Sequence, residues 1–342
     1  MTSTDPPGEA ADATRRILWQ HFVHADNQMF YDYWWGKSGF PHLPTADQIA
    51  QEFPNAAGWG TGMENCALSA AQVLPGALLR HELAPDELTE HEARTLFQGL
   101  LRLFRAASDP GFLPRGLALD GVSHYPNSSA DQYTMVLYAL HAYAKSGVAT
   151  AAEQQEVRNI WHNVLVRWER HGWEDRREDG GQAMYGDMNR IAPDRASRLL
   201  AALLGGFVIT GDRHWHNVYR QKLEEQDYAR LLAASTWDWR PACLPPGEEP
   251  NHGARYNARL RRLAPASAYE HEYVQGPWEA AHILSLSEAP DYHQMLREHL
   301  PLLLTVLPCD TGPVLEHLRC GVDVLDDGAA HRVRLWAADW HI

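Results

Sequence analysis

The sequence predicts an all-α chain, an (α/α) toroid resembling a six-hairpin barrel, in which inner and outer helices alternate. Three observations carry this. Apolar residues recur at helical spacing in about ten segments, and no hairpin dipeptide between alternating runs suggests a substantial sheet. Long connections dense in aromatic residues alternate with short ones. Three segment starts share one punctuation, Thr61-Gly62-Met63-Glu64, Ser128-Ser129-Ala130-Asp131 and Ser267-Ala268-Tyr269-Glu270, a hydroxyl followed three residues later by a carboxylate. That is the capping box, which satisfies N–H groups of a first helical turn. The steps are 67 and 139 residues, the second close to twice 69, as a repeated helical hairpin requires.

Taken in order, residues 1–10 read as a disordered lead, with neither the basic nor the apolar stretch of an export signal. A single toroid domain is expected over 11–342. Its first helical segment is 12–33. The second, 62–81, contains Ala67-Leu68-Ser69-Ala70-Ala71, small enough for an inner layer where helices crowd. Segment 86–107 mixes charge with an apolar stripe, as an outer, solvated helix does. The pattern repeats with 128–146 inside and 150–171 outside. A further inner start is expected near 193–198, where Pro193-Asp194 precedes Leu199, Leu200, Leu203 and Leu204 and proline suits the first helical position. This gives 194–210 and its successor 213–234. Segments 268–286, 290–305 and 311–320 complete the set.

The connections into inner helices, 34–61, 108–127, 172–193 and 235–267, are the long ones, whereas 82–85, 147–149 and 211–212 are short. Parallel inner helices place every long loop at one end, which becomes the mouth of a site. The loops carry Trp34-Trp35-Gly36, Gly58-Trp59-Gly60, His124-Tyr125-Pro126-Asn127, Met184-Tyr185-Gly186-Asp187 and Trp237-Asp238-Trp239.

Composition narrows the partners. A formal charge of −14 disfavours non-specific nucleic-acid binding, which needs a basic surface. A local arginine pocket for a small anion remains compatible with it. No run of about 18 apolar residues occurs, so no membrane span is expected. Cys66, Cys243, Cys309 and Cys320 lack zinc-ribbon spacing, and the expected compartment is the cytoplasm. A homo-oligomer is compatible with all of this.

Parallel inner helices also bring Glu64, Asp131 and Glu270 to one rim, with Asp187 and Asp194 nearby. Carboxylates converging on an aromatic funnel suit glycosyl chemistry, one acid protonating an oxygen or an alkene carbon while another group activates water. A carboxylate in a capping box also has a purely structural role. Asp131 stands out because polar or aromatic groups fill nearly every position from His124 to Thr134, more than a cap needs. A helix start favours the ionised carboxylate. A general acid therefore requires desolvation or a second carboxylate to reverse the sign. A base or a hydrogen-bond acceptor at Asp131 fits equally.

Gly58-Trp59-Gly60-Thr61-Gly62-Met63-Glu64-Asn65, then Gly111-Phe112-Leu113-Pro114-Arg115-Gly116, then His124 through Thr134 resemble the (α/α)-barrel carbohydrate-active enzymes, notably the unsaturated glucuronyl and rhamnogalacturonyl hydrolases and related uronide-acting glycosidases. The likeness spans about residues 55–145 and, loosely, the helical pattern of the remainder. It implies an oligosaccharide substrate and no metal or organic cofactor. It also implies that an inner-helix aspartate, here Asp131, protonates a C4=C5 vinyl ether, with Glu64 as the second acidic position. The chain departs from those families in having Asp-Gln-Tyr-Thr on the site helix and Asn65 beside Glu64.

For a uronate carboxylate, planar arginine is the best partner, and Arg115 leads with Arg190 behind it. A surface or loop-holding role is the other reading of Arg115. Trp34, Trp35, Trp59, Tyr125, Tyr185 and Trp278 are candidates for stacking on sugar faces, against the more usual place of a tryptophan in a helical core, with His124, Asn127 and Gln132 as polar contacts. His271, between Glu270 and Glu272, is a candidate acid/base group or a surface histidine. His214-Trp215-His216 does not make a metal site, since residues two apart on a helix face different ways, and His-Glu-x-x-His is absent. Two other classes stay open. A polysaccharide lyase would draw a Tyr or His base from Tyr125 or His124 and neutralise the uronate with Arg115, Asn127 or Gln132. A non-catalytic carbohydrate-binding toroid, or one resembling terpene cyclases, is the other, although residues 173–179 are too basic for an Asp-rich metal motif.

Overall fold

A computed structural model describes residues 6–34, 37, 39–189 and 196–225, and these described residues are mostly helical. Two compact units occur among them, one with residues 11–188 and 209–211, the other with 6–10, 189, 196–208 and 212–225. None of the described helices is long and apolar enough to cross a membrane. The expected segments 268–286, 290–305 and 311–320 lie outside the described residues.

Helix α1 (Pro6–His21), of which residues 11–21 belong to the larger unit, begins inside the expected lead and ends well short of residue 33. Past His21 the chain folds back on itself. Val23 bridges Phe30, His24 N–H donates to the Met29 carbonyl at 2.9 Å, and the His24 ring accepts from the Asp26 and Asn27 N–H groups. These local bonds compete with helix, and Gln28 takes φ +60° at the turn. Phe22, Met29, Phe30 and Tyr31 are buried there, so an apolar run compatible with helix is a tight return instead. The first long connection also holds one short helix, α2 (Ala46–Ala50), with a true capping box between Thr45 and Gln48.

Four long helices follow as two hairpins: α3 (Cys66–Leu83) with α4 (Glu87–Ala106), and α5 (Ala130–Lys145) with α6 (Ala151–Arg170). Each lies within a few residues of its expected segment. Helix α3 packs against both α4 and α5. Its buried face, Ala67, Leu68, Ala70, Ala71, Leu74 and Leu78, is small enough for close approach. The N-terminal ends of α3 and α5 are bonded to one another: Leu68 N–H donates to Gln132 Oε1 at 2.9 Å, and Gln132 Nε2 donates to Asn65 Oδ1 at 2.8 Å. Helices α3 and α5 are therefore parallel.

Helices α4 and α6 start on real capping boxes, Asp86 with Thr89 and Thr150 with Glu153. Arg94 on α4 reaches both Glu153 oxygens at 2.9 Å and the Val148 carbonyl at 2.6 Å, joining the hairpins at the end away from the long loops. Phe97 stacks on Tyr143 at 3.9 Å between ring centroids.

Gly99 marks the closest contact of α4 with the residue 22–31 return. A Cβ there would sit 2.3 Å from the Gln28 carbonyl oxygen. In an open helix Gly→Ala stabilises by about 1 kcal/mol. At this position we expect Gly99→Ala to destabilise by about 1–3 kcal/mol, because backbone rather than a flexible side chain must move. The urea midpoint measures it, and a stabilised variant would show that the return is not held against α4.

The third long connection contains a strand pair, β1 (Glu174–Arg176) and β2 (Gln182–Asp187), antiparallel with an irregular register. Gly180, at φ +85°, makes its turn. In the other unit, α7 (Ala196–Thr210) buries Leu199, Leu200, Leu203 and Leu204, close to the expected start. Helix α8 (Arg213–Glu224) is capped by Asp212, which accepts from His214 N–H at 2.9 Å.

Candidate functional site

The first three long connections meet at the N-terminal ends of α3 and α5. Arg177 of the hairpin pairs with Glu52 of the first connection. Tyr125 of the second donates its hydroxyl to the Phe53 carbonyl, and its ring lies so close to Gly58 that a Cβ there would approach it to 2.6 Å. Glu178 N–H donates to the Pro126 carbonyl at 2.9 Å.

Neither α3 nor α5 starts on the expected capping box. Helix α3 begins at Cys66 with Asn65 as N-cap, so Glu64 lies before the helix and Thr61 caps nothing. Tertiary groups replace the local cap. Asn65 N–H donates to Asp32, Ala67 N–H to the Arg115 carbonyl at 2.9 Å, and Leu68 N–H to Gln132. Helix α5 begins at Ala130 with Ser129 as N-cap, one residue later than Ser128 would place it. The Ser129 hydroxyl does not bond the helix N–H groups. It donates to Asp131 Oδ1 and accepts from Arg115 Nη1 at 2.9 Å.

Arg115, 3% exposed, links both helix starts. Its Nε donates to the Glu64 carbonyl, its Nη1 to Ser129 and its Nη2 to Asn65 Oδ1 at 3.1 Å. Gln132, fully buried, holds the same pair of helix ends. As placed, both residues bind protein groups and organise the site. Glu64, 1% exposed, accepts from the Tyr33 hydroxyl and the Gly60 N–H, fastening the 58–62 loop. Trp59 is half-buried on that loop, its N–H and carbonyl bonded to the Asn55 side chain.

Asp131 is half-buried and differs in this from Glu64. Tyr125 is buried, and that burial pushes its phenol up to about 12. His124 bonds through both ring nitrogens. Asn127 and Ser128 are buried just before α5, with Asn127 Oδ1, Ser128 Oγ and Asn65 Nδ2 lacking protein partners. The Tyr185 side chain, Glu270, His271 and Trp278 lie outside the described residues.

Asp32 has no counterpart among the sequence candidates, because Tyr31-Asp32-Tyr33 falls in a run read as helix. It is 1% exposed and accepts from Asn65 N–H and from Ser69 Oγ at 3.0 Å. Burial, then the charge of Glu64, pushes its carboxyl up to about 8 against the Asn65 and Ser69 hydrogen bonds and Arg115. The linkage has a definite sign. An unfolded Asp loses its proton near ~4, the folded one near 8, so the folded state binds more protons in between and stability falls as pH rises from about 4 to about 8. Asp32→Asn is expected to remove about one proton of this dependence. Chemical denaturation across that range tests it. An unchanged slope would mean that Asp32 ionises normally.

Among the described residues, no group of three or more His, Cys, Asp or Glu is placed to hold a metal ion. No protein-family model, curated protein or solved structure matches the chain. Its own residues therefore carry the functional argument.

Proposed function

We propose that the chain is a glycoside hydrolase acting on uronic-acid-containing oligosaccharides, with its helical hairpins closed into an (α/α) toroid and Asp131 as the acid/base group. The observation that carries the reading is the arrangement at one end of α3 and α5. Three long, aromatic-rich loops meet one another there, Asp131 is half-buried in the first turn of α5, and Asp32 and Glu64 are buried. Asp131 is the carboxylate of the three with the exposure a substrate needs.

On an unsaturated uronide, Asp131 gives its proton to C4 of the C4=C5 bond and water adds its oxygen at C5. The remaining water proton returns to the carboxylate. The resulting hemiketal opens as its C5–O5 bond breaks and its hydroxyl proton passes to O5, and the hemiacetal left at C1 gives its proton to the leaving sugar oxygen as the glycosidic C–O bond breaks. Arg115 and Ser129 fix the start of α5, and so the position from which Asp131 acts.

A lyase reading needs a Tyr or His free to abstract the C5 proton. The Tyr125 hydroxyl is bonded to the Phe53 carbonyl, and both His124 nitrogens are engaged. This favours the hydrolase. Product absorbance tests the choice on saturated and unsaturated uronides. A hydrolase removes the ultraviolet signal of the conjugated unsaturated sugar, a lyase creates it, and ligand binding with no change in either assay marks a non-catalytic scaffold.

A further inference from the structure

The contact between His124 and Glu178 has an unusual donor balance. His124 Nε2 is 2.7 Å from Glu178 Oε2, and His124 Nδ1 is 2.8 Å from the Val122 carbonyl oxygen. Both neighbours are acceptors, while a neutral imidazole has one donor and one acceptor nitrogen. With Glu178 ionised, only the imidazolium satisfies the two at once. The other Glu178 oxygen accepts from both the Ser108 N–H and the Ser108 hydroxyl, the latter at 2.8 Å, and these bonds favour the ion. The two side chains are 10% and 13% exposed, so water replaces these bonds poorly.

We propose that His124 and Glu178 form a pH-operated latch, in which the imidazolium tightens the β1–β2 hairpin against the loop leading into α5 and loss of its proton loosens it. This does not depend on which reaction the site performs.

The surrounding charges agree in sign. From the hairpin His124 meets Glu178, and from its own loop it feels Asp120. Both favour the cation. Arg177, next to Glu178, is turned to Glu52 and Asp179. Asp109, after α4, is occupied by Arg167 and Arg170. The Phe112 ring centroid is 6.3 Å from the imidazole. Burial opposes the charge on His124, but Glu178 and the Val122 carbonyl outweigh it and hold the pKa above the usual 6.5. Burial likewise opposes the Glu178 ion, yet His124 and Ser108 hold it down to about 2. The latch is therefore complete below 6.5 and weakens as pH rises through the higher folded value.

Nitrogen-15 NMR of the wild-type imidazole is expected to show both His124 nitrogens protonated at about pH 6. Hydrogen exchange of the 174–187 amides, corrected for intrinsic rate, should accelerate about tenfold as His124 deprotonates, the scale of a charge-assisted hydrogen bond. His124→Gln donates one bond only and should exchange fast with no such step. Glu178→Gln should move the step to lower pH. A single neutral tautomer at about pH 6, or a step that persists in His124→Gln, overturns the proposal. The NMR measurement decides even where a variant fails to fold.

Discussion

Arg167→Met is expected to cost the fold about 3–5 kcal/mol, the scale of breaking one side of a buried ion pair. Arg167 is 1% exposed, near the C-terminal end of α6. Its Nε donates to Asp109 at 2.7 Å, its Nη1 to Asp175, and its Nη2 to the carbonyls of Arg176 at 2.7 Å and Arg177 at 3.2 Å. The guanidinium lies over the Phe112 ring, 5.1 Å from the centroid. Asp175, 2% exposed, is pushed up to about 7 by burial even with Arg167 beside it. Methionine would fill the space and leave Asp175 without its cation and the Arg176 carbonyl without its Arg167 donor. The cost follows from those orphaned groups, since a pair replaced on both sides by apolar residues is often neutral. Arg167→Met with Asp175→Asn should accordingly recover part of the loss. Urea denaturation and exchange of the 174–187 amides measure it. A single variant within about 1 kcal/mol of wild type would mean that Asp175 is reached by water.

The same residue explains why the hairpin was not legible in the sequence. Arg167 presents its donors to β1 from α6, and no local pattern in Glu174-Asp175-Arg176 announces that partner. Periodicity recovered α3, α4, α5, α6 and α7 because their apolar faces are set by neighbours along the same helix. It failed over 22–33, where Phe22, Met29, Phe30 and Tyr31 are buried by a turn that helix-spaced apolar residues do not exclude.

The capping signals carry a sharper lesson. Asp86 with Thr89 and Thr150 with Glu153 are boxes because those helix starts are partly exposed and local side chains meet their first N–H groups. At Thr61–Glu64 and Ser128–Asp131 the same residue pattern exists, but Arg115, Gln132 and Asp32 arrive from distant segments. The hydroxyls and carboxylates there make other contacts. Glu64, Asp131, Arg115 and Gln132 were recognisable as polar groups before apolar helices. Their division of labour was not, because it depends on which side chain meets which across the α3–α5 contact.

That division leads to the second large effect. Asp131→Asn is expected to reduce turnover on a uronide substrate by about 10²–10⁴-fold, the usual contribution of a positioned acid or base. Asparagine keeps an oxygen to accept from the Ser129 hydroxyl, so the start of α5 retains its link to Arg115. The thermal midpoint should therefore stay within about 2 °C. Glu64→Gln is the opposing control. The Glu64 carboxylate accepts from Tyr33 and Gly60 and is buried, so an amide places an N–H where an acceptor is required. It should lower stability and loosen the 58–62 loop, changing substrate affinity together with turnover. Ser129→Ala separates position from chemistry. It removes the hydroxyl between Arg115 and Asp131 and should reduce activity less than Asp131→Asn at unchanged pH dependence, whereas loss of the acid/base group alters the pH profile itself. Full activity in Asp131→Asn, or a loss of activity that tracks a loss of folded protein, would remove Asp131 from the chemistry and leave it as a group that orders the helix start.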